Sequence, residues 1–164
     1  MSIASRAVGY RQHFVEAELR NVCNDLISLV DGILDSTKDK AGTLFFLKMK
    51  GDYYRYLAEV EGNDGSSKDS AASAYKAATE LAESKDDGLP PTNPIRLGMA
   101  LNYSVFLYEI MNQPTEATAL AKSAFDAAID RRRHPHRWAP RRGALAPTQS
   151  NDVQRIVRHS DISG

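Results

Sequence analysis

An internal repeat at a spacing of 50 residues constrains the fold of this 164-residue chain more than any other feature. The aromatic segment 52–60 aligns with 102–110, and the alanine-rich segment 74–78 aligns with 124–128. Each unit predicts a helical hairpin, in which a long aromatic helix is followed by a helix whose small side chains permit close packing. Two stacked hairpins predict a curved array of helices with a groove on its inner face.

Apolar residues recur every three or four positions along the first 130 residues, which is the period of an amphipathic helix. This period and the turn-forming residues between the stretches predict five helices, at about 8–34, 41–61, 66–84, 94–111 and 115–129. We expect Thr92 or Asn93 to cap the fourth helix, with Pro94 in its first turn. No stretch has the alternation of a β-strand, so the predicted fold class is all-α, an antiparallel array of helical hairpins.

Charge divides the chain into two parts. Residues 131–164 contain eight arginines, no lysine and two acidic residues, a net charge of +6, and residues 1–130 carry −6. The basic segment has no helical period, and we predict it to be a disordered tail. Arginines suit nucleic-acid phosphates, but Trp138 is the one aromatic residue of this segment that could stack on a base. We therefore expect no sequence-specific binding of nucleic acid.

The sequence disfavours several classes of protein. It has no apolar run long enough to cross a membrane and no secretory signal at its start. The single cysteine, Cys23, suits a reducing compartment and lies on an apolar helical face, where we expect it to be buried. Glycine-rich phosphate loops, zinc-spaced cysteines and nucleophile motifs are absent from the sequence. We therefore expect a cytoplasmic protein that is not an enzyme, with no cofactor, no metal and no membrane partner.

Two cations and a phenol mark the second predicted helix. Lys48 and Arg55 are seven residues apart, which places them two turns apart on one helical face, and Tyr56 follows the arginine. A cationic stripe with a hydroxyl beside it suits a phosphate or a carboxylate. The alternative interpretation is that both cations are ordinary solvated charges.

Four segments of the chain closely resemble the 14-3-3 family. They are residues 18–25, 47–60, 94–106 and 121–129. The similar region covers about 10–129, and we assign 10–130 to a partial domain of this family, preceded by a non-matching lead over 1–9. The resemblance implies a cup-shaped dimer, with nine antiparallel helices in each subunit, that binds phosphoserine or phosphothreonine segments of other proteins.

The resemblance also implies a phosphopeptide-binding site. The residues that match the family's binding positions are Lys48, Arg55, Tyr56, Leu101, Asn102, Val105 and Glu109. The arginine and the tyrosine would grip the phosphate, and the lysine would line the same groove. The asparagine would bond to the peptide main chain, the leucine and the valine would form an apolar wall, and the glutamate would be a polar groove residue.

The chain departs from the family pattern at both ends. The family's first three helices and its last helix are missing, and with them the dimer-forming surface and two further basic residues of the phosphate pocket. We therefore expect a truncated adaptor in signal transduction with impaired phosphopeptide binding. The expected partners are phosphorylated client proteins and full-length chains of the same family. Two alternatives stay open, a phosphate-independent helical interaction scaffold and a non-functional splice or gene-model product.

Overall fold

The computed structural model of the chain describes residues 3–62, 65–84 and 88–134. Within these ranges the chain forms five α-helices and no strand, which confirms the all-α prediction. The helices are α1 (Ile3–Ser36), α2 (Lys40–Glu61), α3 (Ser67–Ala82), α4 (Pro94–Glu109) and α5 (Pro114–Arg133). None of these five helices is long and apolar enough to span a membrane.

The observed helix boundaries lie within two residues of the predicted ones, except at the start of α1 and the end of α5. The first helix begins at Ile3 rather than near residue 8, because no proline interrupts the lead segment. The prediction that the helical pattern stops at Ile129 is wrong, since α5 continues through Arg133. Arginine is a good helix former, and cations in a last turn interact favourably with the helix dipole. The rest of the predicted tail, 135–164, lies outside the described residues.

The start of α4 is fixed by an asparagine cap. The side-chain oxygen of Asn93 accepts hydrogen bonds from the backbone N–H groups of Ile95 and Arg96, at 2.9 and 3.1 Å. Pro94 occupies the first turn, where its missing N–H costs least. Of the two predicted candidates, Asn93 rather than Thr92 is therefore the cap, and it sets where every later residue of α4 lies.

The second helix packs antiparallel against the third. Leu44, near the start of α2, shares a buried cluster with Ala82, at the end of α3. Gly51, in the middle of α2, lies against the ring of Tyr75, in the middle of α3. These two helices therefore form the first hairpin that the repeat predicts.

The second and fourth helices run parallel, side by side. Lys48 lies beside Gly98, and Asp52 is hydrogen-bonded to Asn102. Both pairs are separated by 50 residues, which is the spacing of the sequence repeat. Equivalent positions of the two repeat units therefore face each other across the α2–α4 contact.

Three clusters of buried side chains hold the helices together. The first joins α1 to α2, the second joins α2, α3 and α4, and the third joins α3 to α4. Cys23 belongs to the first cluster and is 2% exposed, which confirms the prediction that it is buried. Burial raises the pKa of its thiol, so the group stays neutral and unreactive. The buried members of the three clusters are Cys23, Ile27, Leu57, Leu44, Ala78, Ala82, Met99, Ala71, Tyr75 and Phe106.

A pair of glycine substitutions tests the close approach of α2 and α3. A Cβ added at Gly51 would lie 2.8 Å from the Tyr75 ring, so Gly51→Ala is expected to lower the free energy of unfolding by about 1–3 kcal/mol. A Cβ at Gly32, within α1, would meet nothing within 4 Å. Gly32→Ala is therefore expected to raise the free energy of unfolding by about 0.5–1 kcal/mol, because alanine is the better helix former. Urea denaturation measures both, and two changes of the same sign would contradict the packing.

Candidate functional site

A row of alternating charges runs along one face of α2. Its members are Lys48, Asp52, Arg55 and Glu59, each three or four residues after the last. The lysine Nζ donates to Oδ2 of Asp52 at 2.7 Å, and the arginine Nη1 donates to Oε1 of Glu59 at 2.5 Å. The cationic side chains are only 21% and 12% exposed. The alternative interpretation of two solvated charges is therefore wrong.

The carboxylate of Asp52 joins three helices. Its Oδ1 accepts hydrogen bonds from the Tyr75 hydroxyl of α3, at 2.5 Å, and from Nδ2 of Asn102 of α4, at 2.8 Å. Its Oδ2 is bonded to Lys48 of α2. The residue is only 8% exposed, and a buried carboxylate needs donors of this kind to offset its lost hydration. We call Asp52, Lys48, Tyr75 and Asn102 the Asp52 cluster.

The guanidinium of Arg55 lies against this cluster. Burial lowers its pKa, but the interaction with the Tyr75 hydroxyl and the negative charge of Glu59 outweigh that effect. The pKa of Arg55 is therefore raised, and the group stays cationic. Its Nε is buried with no hydrogen-bond partner among the described residues. A buried cationic N–H without an acceptor is uncommon in folded proteins.

The ring of Tyr56 lies against the guanidinium of Arg55. Its ring centroid lies 4.4 Å from Cζ of Arg55, within the range of a cation–π interaction. The same ring packs edge-on against Tyr53, with the ring centroids 6.4 Å apart. The partly buried tyrosine thus connects the cationic face of α2 to the apolar contact between α1 and α2.

The predicted residues of α4 lie in different surroundings. Asn102 is part of the Asp52 cluster. Val105 and Glu109 line an open groove of about 430 Å³ between α4 and α5. Leu101 is 59% exposed. The structure thus brings Lys48, Asn102 and, through Tyr75, Arg55 into one polar network, whereas the ligand-binding roles of all seven predicted residues stay predictions.

Three residues of this network were not predicted from the sequence, namely Asp52, Glu59 and Tyr75. A signal for both acids was present, because each lies four residues after a cation on the same helix, the spacing of a helical ion pair. Tyr75 is the one aromatic residue of α3, a helix otherwise built of alanines, polar residues and one leucine. Its partner is 23 residues away, and helical spacing within α3 carries no information about that contact.

The fold and the site define an all-α protein of stacked helical hairpins, with a face on which two cations are paired with two carboxylates. A family model described as "14-3-3 protein" matches residues 4–136. The chain belongs to the 14-3-3 family, which confirms the resemblance found in the sequence. Proteins of this family are non-enzymatic adaptors, in agreement with the prediction that the chain is not an enzyme.

Two relatives show the extent of the similarity. The chain is 48% identical over 132 residues to "14-3-3 protein" of Eimeria tenella, an alignment that covers 79% of this chain and 46% of the relative. It is 52% identical over 129 residues to "14-3-3-like protein GF14 epsilon" of Arabidopsis thaliana, an alignment that covers 76% of this chain and 48% of the relative. The chain thus spans about half the length of the curated relatives that it matches.

Alanine substitutions at two aspartates compare the buried Asp52 cluster with an exposed ion pair. Asp52→Ala is expected to lower the free energy of unfolding by about 3 kcal/mol, because it leaves buried donors without their acceptor. Asp126 also accepts from a lysine four residues away, Lys122, but these side chains are 56% and 72% exposed. Asp126→Ala is therefore expected to change the stability by less than about 0.5 kcal/mol. Chemical denaturation of both variants is the measurement, and equal losses would contradict the role of the buried cluster.

Proposed function

We propose that the chain is a cytoplasmic adaptor in signal transduction that binds phosphoserine- or phosphothreonine-containing segments of client proteins. Its family membership supports an adaptor role. The single observation that carries the phosphate specificity is the shared face of Lys48 and Arg55, both partly buried and both cationic.

Both cations keep donors for a phosphate after their internal pairing. A lysine ammonium has three N–H donors and a guanidinium has five. Lys48 gives one to Asp52, and Arg55 gives one to Glu59 and also interacts with the Tyr75 hydroxyl, so terminal N–H groups remain on both side chains. The Tyr56 hydroxyl would add a neutral donor beside the arginine. A planar guanidinium with neighbouring donors matches the oxygens of a phosphate group.

The residues of α4 would hold the peptide on either side of the phosphate. Asn102 has an amide oxygen and a further N–H that suit the main chain of an extended peptide. In the proposed arrangement Leu101 and Val105 form the apolar wall for its side chains, and Glu109 is a polar residue of the same groove. Leu101 is 59% exposed, so its side chain is accessible to a partner.

We also propose association with longer chains of the same family. Four large apolar side chains of α1 are between 49% and 70% exposed in the described structure. Three of them, Val15, Val22 and Leu29, recur every seven residues and so lie on one side of the helix, and exposed apolar side chains in this arrangement suit a protein–protein contact. The four residues are Phe14, Val15, Val22 and Leu29.

A pair of lysine variants tests the phosphate site. Lys48→Met is expected to weaken binding of a phosphoserine peptide about tenfold, the effect of losing one hydrogen bond from a charged group. Lys50→Met is the matched control, because Lys50 lies on the same helix, is similarly exposed and pairs with Asp31 of α1. It is expected to change the affinity by less than about twofold. Fluorescence anisotropy at fixed salt, with the phosphopeptide and its unphosphorylated twin, measures both effects.

The same titration also tests the proposal as a whole. Equal affinity for the two peptides, on a sample with a cooperative melt, would contradict phosphate recognition. The exposed apolar face of α1 would then favour the alternative of a phosphate-independent interaction scaffold.

A further inference from the structure

We propose that Asp52 is a positioning residue of the binding groove, held by the Tyr75 hydroxyl so that Lys48 and Asn102 keep fixed places. Its effect on ligand binding rests on the proposed function. The effect of Asp52 on the positions of Lys48 and Asn102 is a property of the chain alone and can be measured without any ligand.

The residue that holds Asp52 in place, Tyr75, lies outside the face that would contact a peptide. Tyr75 is fully buried, and it belongs to α3, which contributes none of the seven predicted binding residues. Its ring stacks on Tyr103, with the centroids 5.2 Å apart, and packs against Phe106. Because the ring is fixed by this packing, its hydroxyl fixes Oδ1 of Asp52 from behind.

Asp52 in turn fixes the orientation of the Asn102 amide. An amide group can rotate to exchange its oxygen and nitrogen, but here Nδ2 donates to the carboxylate at 2.8 Å. The amide oxygen and the second N–H are then held in set directions, which suits a peptide main chain that offers one donor and one acceptor. Without the carboxylate, neither direction would be favoured.

Asp52 also restrains Lys48 before any ligand arrives. A lysine side chain is long and flexible, and immobilising it on binding lowers affinity. Its Nζ is held at 2.7 Å from Oδ2 of Asp52, and its Cε lies close to Gly98, where there is no side chain to displace it. The lysine is therefore already ordered, and its two other N–H donors keep a defined place.

Removal of one hydroxyl tests this role of Tyr75. Tyr75→Phe keeps the ring packing and the charge of Asp52 but removes the hydroxyl from both Asp52 and Arg55, and it is expected to weaken phosphopeptide binding about tenfold while leaving binding of the unphosphorylated twin unchanged. Because the hydroxyl also interacts with Arg55, the ligand-free signal of the Asn102 amide decides the positioning role. Tyr103→Phe is the matched control, because it removes the hydroxyl of the stacked ring and leaves the Asp52 cluster intact. It is expected to change the affinity by less than about twofold.

The Asn102 amide gives a readout that needs no ligand. Its side-chain NH₂ signal in an ¹⁵N-correlated NMR spectrum, assigned with Asn102→Asp, should shift and exchange faster with solvent in Tyr75→Phe but not in Tyr103→Phe. An unchanged signal in Tyr75→Phe would overturn the positioning role. A wild-type chain without phosphate preference would contradict the proposed function alone, since this readout would still decide the positioning.

Asp52→Asn separates positioning from simple electrostatics. If Asp52 only repelled an anionic ligand, its neutralisation would tighten phosphopeptide binding. A positioning role has the opposite sign, because the one amide oxygen of an asparagine cannot serve Lys48 on one side and Tyr75 and Asn102 on the other, and the affinity is expected to fall about tenfold. Tighter binding by Asp52→Asn would overturn the proposal, and Asp126→Asn, in the exposed pair on α5, controls for the change in net charge.

Discussion

The burial of one carboxylate determines how the three central helices must pack. Removing a carboxylate from water is costly unless donors surround it, and Asp52 obtains its donors from α2, α3 and α4 together. Lys48 lies on the same helix as Asp52, whereas Tyr75 and Asn102 reach the carboxylate only if α3 and α4 lie close to α2 at this point. The neighbouring Gly51 permits this distance, because a larger residue there would push the Tyr75 ring away. Apolar packing holds the helices together, and the carboxylate restricts them to one arrangement.

The two repeat units differ at the positions where they meet. Asp52 and Asn102 occupy equivalent positions, and an aspartate facing an asparagine makes a hydrogen bond that two aspartates could not make without a shared proton. A second equivalent pair is Tyr75 and Phe125. The tyrosine is buried and bonded to Asp52, whereas the phenylalanine has no hydroxyl and is 63% exposed. The hairpin fold is thus repeated, but the polar cluster occurs at the contact between the two units and depends on their differences.

Most of the fold could be predicted from local features of the sequence. The three-to-four-residue period located all five helices, and the Asn93-Pro94 pair marked the start of α4. The end of α5 could not be found in this way, because its last residues are charged and show no apolar period although arginine favours a helix. Prediction of the site was limited for a related reason. The shared face of Lys48 and Arg55 follows from helical geometry, whereas the contacts of Asp52 with Tyr75 and Asn102 span 23 and 50 residues and depend on tertiary packing.

The internal pairing of the cations bears on which anions the proposed site would select. A ligand that approaches Arg55 competes with Glu59, which already accepts a hydrogen bond from the guanidinium. A carboxylate ligand would replace one single negative charge with another and gain little. A phosphate carries a charge of about −1.5 to −2 and three acceptor oxygens, so it can engage terminal N–H donors of the guanidinium that the glutamate leaves unused. In the proposed function, competition from Glu59 therefore weakens the binding of peptides that carry only carboxylates more than the binding of phosphorylated peptides. Without this acid, Arg55 would discriminate less between the two kinds of peptide.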